Sequence, residues 1–94
     1  MSILYDDCNF IVNMVSNEMY QICEHATQRM NERDIEEDDI ESTVKNGVFS
    51  YANFDKSKGE SPRYMFSDKG INIIVALTEE NMPIVVTVYK DGEE

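Results

Sequence analysis

The 94-residue chain has no tryptophan, one histidine, two cysteines, two prolines and four glycines. Each scarcity removes a class of protein. His25 with Cys8 and Cys23 matches no metal-ligand spacing, so no metal site is expected. Two cysteines are too few for the disulfide framework of a secreted scaffold, and both read as reduced core residues. No uninterrupted run of about 18 apolar residues is available to cross a bilayer, and Asp6 and Asp7 stand where a signal peptide would be apolar. A soluble, cytoplasmic protein with no membrane partner is the expectation. Glycine-rich phosphate loops and nucleophile elbows are missing, and "EEDD" (36 to 39) lacks the spaced ligands and central glycine of a calcium loop. No cofactor is expected.

Basic residues are the other shortage: 8 against 19 acidic, for a formal net charge of −11. A field of that sign repels nucleic acid at long range, so any nucleic-acid chemistry must be local. It also suits a basic protein partner, including one that itself binds nucleic acid, or serves solubility alone. What is abundant supports a core: 41% hydrophobic residues, with five Tyr and four Phe. A chain of this length forms one domain, residues 1–94.

Helical spacing of Cys8, Ile11, Val12, Val15 and Met19 predicts a first helix within residues 6–19, behind two carboxylates suited to a helix N-terminus. The stretch "MYQIC" (19 to 23) reads as a short strand or a connector. A second helix is expected from about Glu24 to Arg33, with Ala26 and Met30 inward. A third follows, where Ile35 and Ile40 bracket an N-cap near Glu36 as a hydrophobic staple and Gly47 ends it. Its acidic first turn is explained by the positive end of the helix dipole. The period then changes to alternation, predicting strands at 48–54, 63–68, 71–78 and 84–90 joined by short connections. The expectation is an α+β domain: two or three N-terminal helices packed on a four-stranded antiparallel meander.

Two groups of residues carry chemistry. His25, Arg29 and Arg33 step by four along the second helix, drifting about 40° per step, and so share one broad face. A histidine moves protons near neutrality and arginine forks hold phosphate oxygens, although His25 can equally cap or pack and the arginines can pair with Glu32, Glu36 or Glu37. On the last strand Thr87 and Tyr89 project from one sheet face, with Val86 and Val88 expected on the other. Arg63 and Tyr64, after Pro62, add a cation and a ring that could stack on a base.

The stretch "HATQRMNERDIEEDDIESTVKNG" (25 to 47), with "PRYMF" (62 to 66) and "VVTVYK" (85 to 90), resembles the family called domain of unknown function 4258, over about residues 22–90. Residues 1–21 form an extension. The family is similar in architecture to small ribonuclease toxins such as BrnT and RelE, which belong to toxin–antitoxin systems and cleave RNA without a metal. That resemblance implies His25 as general acid or base, Arg29 or Arg33 as the phosphate cation, and Thr87 and Tyr89 as supporting groups, with Arg63 and Tyr64 binding substrate. The expected function is metal-independent RNA cleavage or RNA binding. The alternative is a catalytically inactive acidic module, a phage or mobile-element inhibitor that mimics nucleic acid and binds a basic host enzyme. The corresponding partners are RNA, an antitoxin, or that basic enzyme.

Overall fold

Three helices each contribute a buried pair of apolar residues four apart, the spacing that returns a side chain to the same helix face. In the computed structural model, which describes residues 3–52, 56–59 and 62–92, α1 spans Ile3–Ser16, α2 Glu24–Arg33 and α3 Glu37–Asn46. The pairs are Ile11 and Val15, Ala26 and Met30, and Ile40 and Val44, all in one core. Helix α2 begins at Cys23, whose sulfur accepts the Ala26 N–H at 3.4 Å. It ends at Asp34 in the left-handed region, φ 56° and ψ 46°, a conformation an aspartate tolerates better than most side chains. The Ile35 N–H turns back to the Met30 carbonyl at 2.9 Å. Helix α3 opens as a capping arrangement, with the Glu36 N–H donating to Asp39 Oδ2 at 2.9 Å, while Ile35 and Ile40 are both buried beside it.

The strands are β1 (Gln21–Ile22), β2 (Val48–Ala52), β3 (Arg63–Asp68), β4 (Ile71–Leu77) and β5 (Pro83–Lys90). They form one five-stranded sheet in the order β1-β5-β4-β3-β2. The four later strands are the antiparallel meander that alternation predicts. The expected four-stranded, wholly antiparallel sheet is corrected by β1, which pairs parallel to β5 and makes the sheet mixed. Two residues cannot display an alternation, and a pairing across some sixty residues of chain leaves no local signature. Between β3 and β4, Lys69 and Gly70 both take positive φ, 51° and 80°, the combination of a type I′ hairpin turn. Asn53 and Phe54, expected to continue β2, lie outside the described residues, as do Glu93 and Glu94. A short 3₁₀ turn, Lys56–Lys58, occupies part of the β2–β3 connection.

Register sorts the side chains into two faces, because residues directly opposite one another across strands share a face. One face carries the rows Val85–Val75–Tyr64–Tyr51 and Val88–Ile73–Phe66–Phe49. Its inner members join the helix pairs in the core. The other carries Ile84–Ala76–Arg63–Ala52, then Thr87–Ile74–Met65–Ser50, then Tyr89–Asn72–Ser67–Val48. Two faces fit this alternation only because β5 has a bulge. Val85 pairs with Val75 and Thr87 with Ile74, leaving Val86 as the extra residue. The expectation that Val86 and Val88 share the face opposite to Thr87 and Tyr89 is thereby corrected: the bulge puts Val85 and Val88 there, 0% and 1% exposed.

Both cysteines are free and half-buried. Burial pushes the Cys8 thiol above its ordinary value. Because Ile11 is 0% exposed, α1 is part of the core. Ile11→Ala is expected to lower the unfolding free energy by about 2–5 kcal/mol in a urea titration; an unchanged midpoint would mean that α1 packs elsewhere in solution.

Candidate anion-binding site on the open sheet face

On the face away from the helices a cavity of about 470 Å³ is lined by Tyr51, Ala52, Arg63, Met65, Ile74, Thr87 and Tyr89. Arg63 lies between two alanines, Ala52 and Ala76, in its row, and these short side chains leave space around the guanidinium. Its Nε is buried, and among the described residues it is the buried side-chain nitrogen or oxygen that has no hydrogen-bond partner. An unmet buried N–H of a charged group is costly, and an anionic oxygen is the partner that offsets the cost most fully. Thr87 stands one row from Arg63 and contributes a hydroxyl. The Tyr89 hydroxyl donates to Met65 Sδ at 3.4 Å, a weak acceptor that a phosphate oxygen can replace.

Below these groups a polar chain crosses the third row. Ser67 Oγ donates to Asn72 Oδ1 at 2.7 Å, and Asn72 Nδ2 donates to Asp91 Oδ1 at 2.8 Å. Asn72 is 6% exposed, so its amide is a satisfied buried group that holds the end of β5 against β4. Sequence reasoning did not select Ser67, Met65 or Asn72. The signal for Asn72 was available: one amide side chain within the otherwise apolar "INIIVAL".

The sequence-selected residues divide between two surfaces. Arg63, Thr87 and Tyr89 come together in the cavity, while no α2 residue lines it. On α2, Arg29 and Arg33 both reach the same oxygen, Glu32 Oε1, each at 3.3 Å. The two cations thus converge on a carboxylate in place of an open anion site. His25 is exposed in the first turn of α2. That turn is fastened to the bulge in β5, since the Cys23 thiol donates to the Val86 carbonyl at 3.3 Å and the Cys23 N–H to Val85 at 3.0 Å. Val86 immediately precedes Thr87, so His25 stands along the β5 side of the sheet.

Tyr64 belongs to neither group. It is 4% exposed on the helix-covered face, opposite to Arg63, and its hydroxyl donates to the Asp7 carboxylate of α1. Tyr51, directly opposite Tyr64 and with its ring against it at 5.6 Å, lies on that same face and is exposed at 56%. Among the described residues no three His, Cys, Asp or Glu side chains stand together as a metal-holding group, and no helix is long and apolar enough to cross a membrane.

Charge is unevenly spread along the chain. Residues 45–69 hold five basic and three acidic residues, net +2, and the remainder holds three basic and sixteen acidic, net −13. The stretch with the positive balance is the one that builds β2 and β3 beside the cavity.

The sequence profile of one protein family, described as a domain of unknown function (DUF4258), matches residues 22–90. The chain belongs to this family. The DUF4258 segment runs from β1 to the end of β5 and so contains the whole cavity and all of α2, with α1 lying before it. Searches of curated proteins and of solved structures give no match to this chain.

Burial, then the hydrogen bond to Asp7, raises the Tyr64 phenol above its ordinary 10.0. Burial and the 3.0 Å hydrogen bond to Glu41 do the same for Tyr20. A phenol with a raised folded value stabilises the fold fully below the unfolded value and loses that contribution as pH rises toward the folded one. Stability from these groups should therefore be level below about pH 9 and decline above pH 10. Tyr64→Phe should reduce that alkaline decline in denaturation midpoints measured from pH 8 to 11, and an unaltered slope would contradict it.

Proposed function

We propose that this chain is an RNA-binding domain of the ribonuclease-toxin type, with the phosphodiester held on the open sheet face. The observation that carries the reading is the buried Arg63 Nε without a partner in a cavity that also holds the Thr87 and Tyr89 hydroxyls. A guanidinium and two hydroxyls match a phosphate, which presents several acceptor oxygens to donors arriving from different directions. The net +2 of residues 45–69 supplies the local attraction that the whole-chain charge denies.

Cleavage is the finer part of the proposal. The ribose 2′-oxygen forms a bond to phosphorus as the bond from phosphorus to the 5′-oxygen breaks, leaving a 2′,3′-cyclic phosphate and a 5′-hydroxyl. Arg63 holds one phosphate of the strand in the cavity. At the phosphodiester that reaches the start of α2 beside the β5 bulge, His25 takes the 2′-hydroxyl proton and delivers a proton to the leaving 5′-oxygen. Arg29 and Arg33 act with Glu32 in keeping α2 ordered.

A second reading, an acidic module that binds a basic protein, is favoured by the capture of both arginines by Glu32 and by the exposed Glu36, Glu37 and Asp38 at the start of α3. One experiment separates the two. Wild-type protein, Arg63→Met and His25→Ala are incubated with RNA in chelator at low ionic strength, and binding and product ends are both followed. The ribonuclease reading predicts cyclic-phosphate ends, weaker RNA binding by Arg63→Met and a fall of about 10²–10⁴-fold in rate for His25→Ala. Arg63-dependent binding without cleavage would leave an RNA-binding domain, and absence of both would leave the acidic module.

A further inference from the structure

β2 ends the sheet on the side away from β1, so one row of its backbone N–H and C=O groups faces outward, toward no other described strand. Its sequence, VFSYA, has no charged residue and no proline, and it pairs with β3 in unbroken register, without a bulge. Charge, proline and bulges are the devices by which an edge strand ordinarily refuses a neighbour. β2 has none of them. It also carries the two most exposed large apolar side chains among the described residues, Val48 at 73% and Tyr51 at 56%.

The two side chains lie on opposite faces. Val48 shares the open face with Ser67, its cross-strand neighbour, while Tyr51 lies with Tyr64 and Phe49 on the other. On that side the helices pack on inner strands, α2 against β5 and α3 against β3 and β4. Phe49 is half-buried at this margin, stacked on Tyr64 with ring centroids 5.5 Å apart and 19° between planes. Tyr64 is itself fixed by its hydrogen bond to Asp7. The aromatic row is therefore held firmly on its inner side and open on its outer side.

We infer that the occupant of this edge is a second copy of the chain, its β2 running antiparallel to this one about a two-fold axis at Ser50. The strand is self-complementary in that register. Ser50 meets its own counterpart, Tyr51 of each copy lies opposite Phe49 of the other, and Val48 lies opposite Ala52. Residues directly opposite share a face, so each Tyr51 ring covers the open side of an aromatic row, each Val48 meets an alanine, and no charges are brought together within the strands. Net charge favours the same edge. Residues 45–69 are net +2 and the remainder net −13, so two copies approach with least repulsion where β2 and β3 lie.

Adjacent antiparallel strands of one sheet are related by an axis perpendicular to it, so both open faces look the same way. The two sheets become one, and the two Arg63 cavities stand on a single surface about 20 Å apart, three strand spacings across and four residues along. A strand of RNA long enough to reach both binds more tightly than one that fills a single cavity. The pairing stands on the edge itself; only this use of two cavities rests on the reading of the open face as an RNA site.

Sedimentation velocity of the purified chain, from micromolar to millimolar concentration, should show a reversible monomer–dimer equilibrium. Tyr51→Ala should raise its dissociation constant about 2- to 30-fold, the loss of two symmetry-related cross-strand pairs. Val48→Lys should raise it as well, and neither should alter the circular dichroism of the monomer, since both side chains are exposed. Ser50→Cys should link dimers covalently in oxidised glutathione, because directly opposed strand residues lie within the Cα separation that a disulfide spans. Val48→Cys, whose counterpart is Ala52, should link more slowly. A monomer at every concentration overturns the inference and leaves the edge to a strand of another protein. A dimer indifferent to Tyr51→Ala and Val48→Lys, or one that Val48→Cys links and Ser50→Cys does not, overturns the pairing. Failure of RNA to bind monomer or dimer removes the phosphate site and leaves the pairing, which sedimentation reads without RNA.

Discussion

The extra residue at Val86 decides which side chains of β5 meet the helices. Without it, strict alternation from Val85 would send Thr87 inward with Val85 and turn Val88 outward. With it, Val85 and Val88 enter the core, and Thr87 and Tyr89 face the open side in register with Ile74 and Asn72. The same irregularity supplies the Val86 carbonyl that accepts from the Cys23 thiol, and so fastens the start of α2 to the strand. A single local departure from pleating therefore sets the core, the attachment of a helix and the composition of the cavity.

The electrostatic design follows from where charge is compensated. On α2 two guanidinium groups are turned onto Glu32, and the helix dipole at α3 is met by Glu37, Asp38 and Asp39 in its first turn. These groups are solvated or paired and stabilise their own helices by modest amounts. Arg63 differs, since its Nε is buried, without a partner, and lies between two alanines. In a protein with a net charge of −11, a cation left in that condition is more informative than several exposed ones, because burial prevents water from completing its hydrogen bonds.

Helices were legible from spacing because each has a buried pair four residues apart, and the bounds of α2 and β3 agree with those read from the residues. The hydrophobic staple around Glu36 was legible for the same reason: Ile35 and Ile40 are both buried. The parallel strand β1 was not, because two residues paired to a distant strand carry no periodicity. The bulge was hidden as well, since Val85, Val86 and Val88 are alike in sequence and only the register with β4 distinguishes them. Thr87 and Tyr89 could be placed together by their spacing of two. Grouping them with His25, Arg29 and Arg33 required knowing the side of the sheet on which α2 packs, which spacing within a helix does not contain. Tyr64 was chosen for its place beside Arg63, yet adjacent strand residues point to opposite faces, and Tyr64 turns to the helices, where its hydroxyl meets Asp7.

The location of the site is tested most directly by titrating a short single-stranded RNA into isotopically labelled protein at low ionic strength and following the Arg63 side-chain Nε–H resonance together with the backbone amides. The predicted result is a saturable shift of the Arg63 Nε–H with parallel shifts at Met65, Ile74, Thr87 and Tyr89. Shifts confined to α2 and the start of α3, with the Arg63 resonance unmoved, would contradict an anion site on the open face.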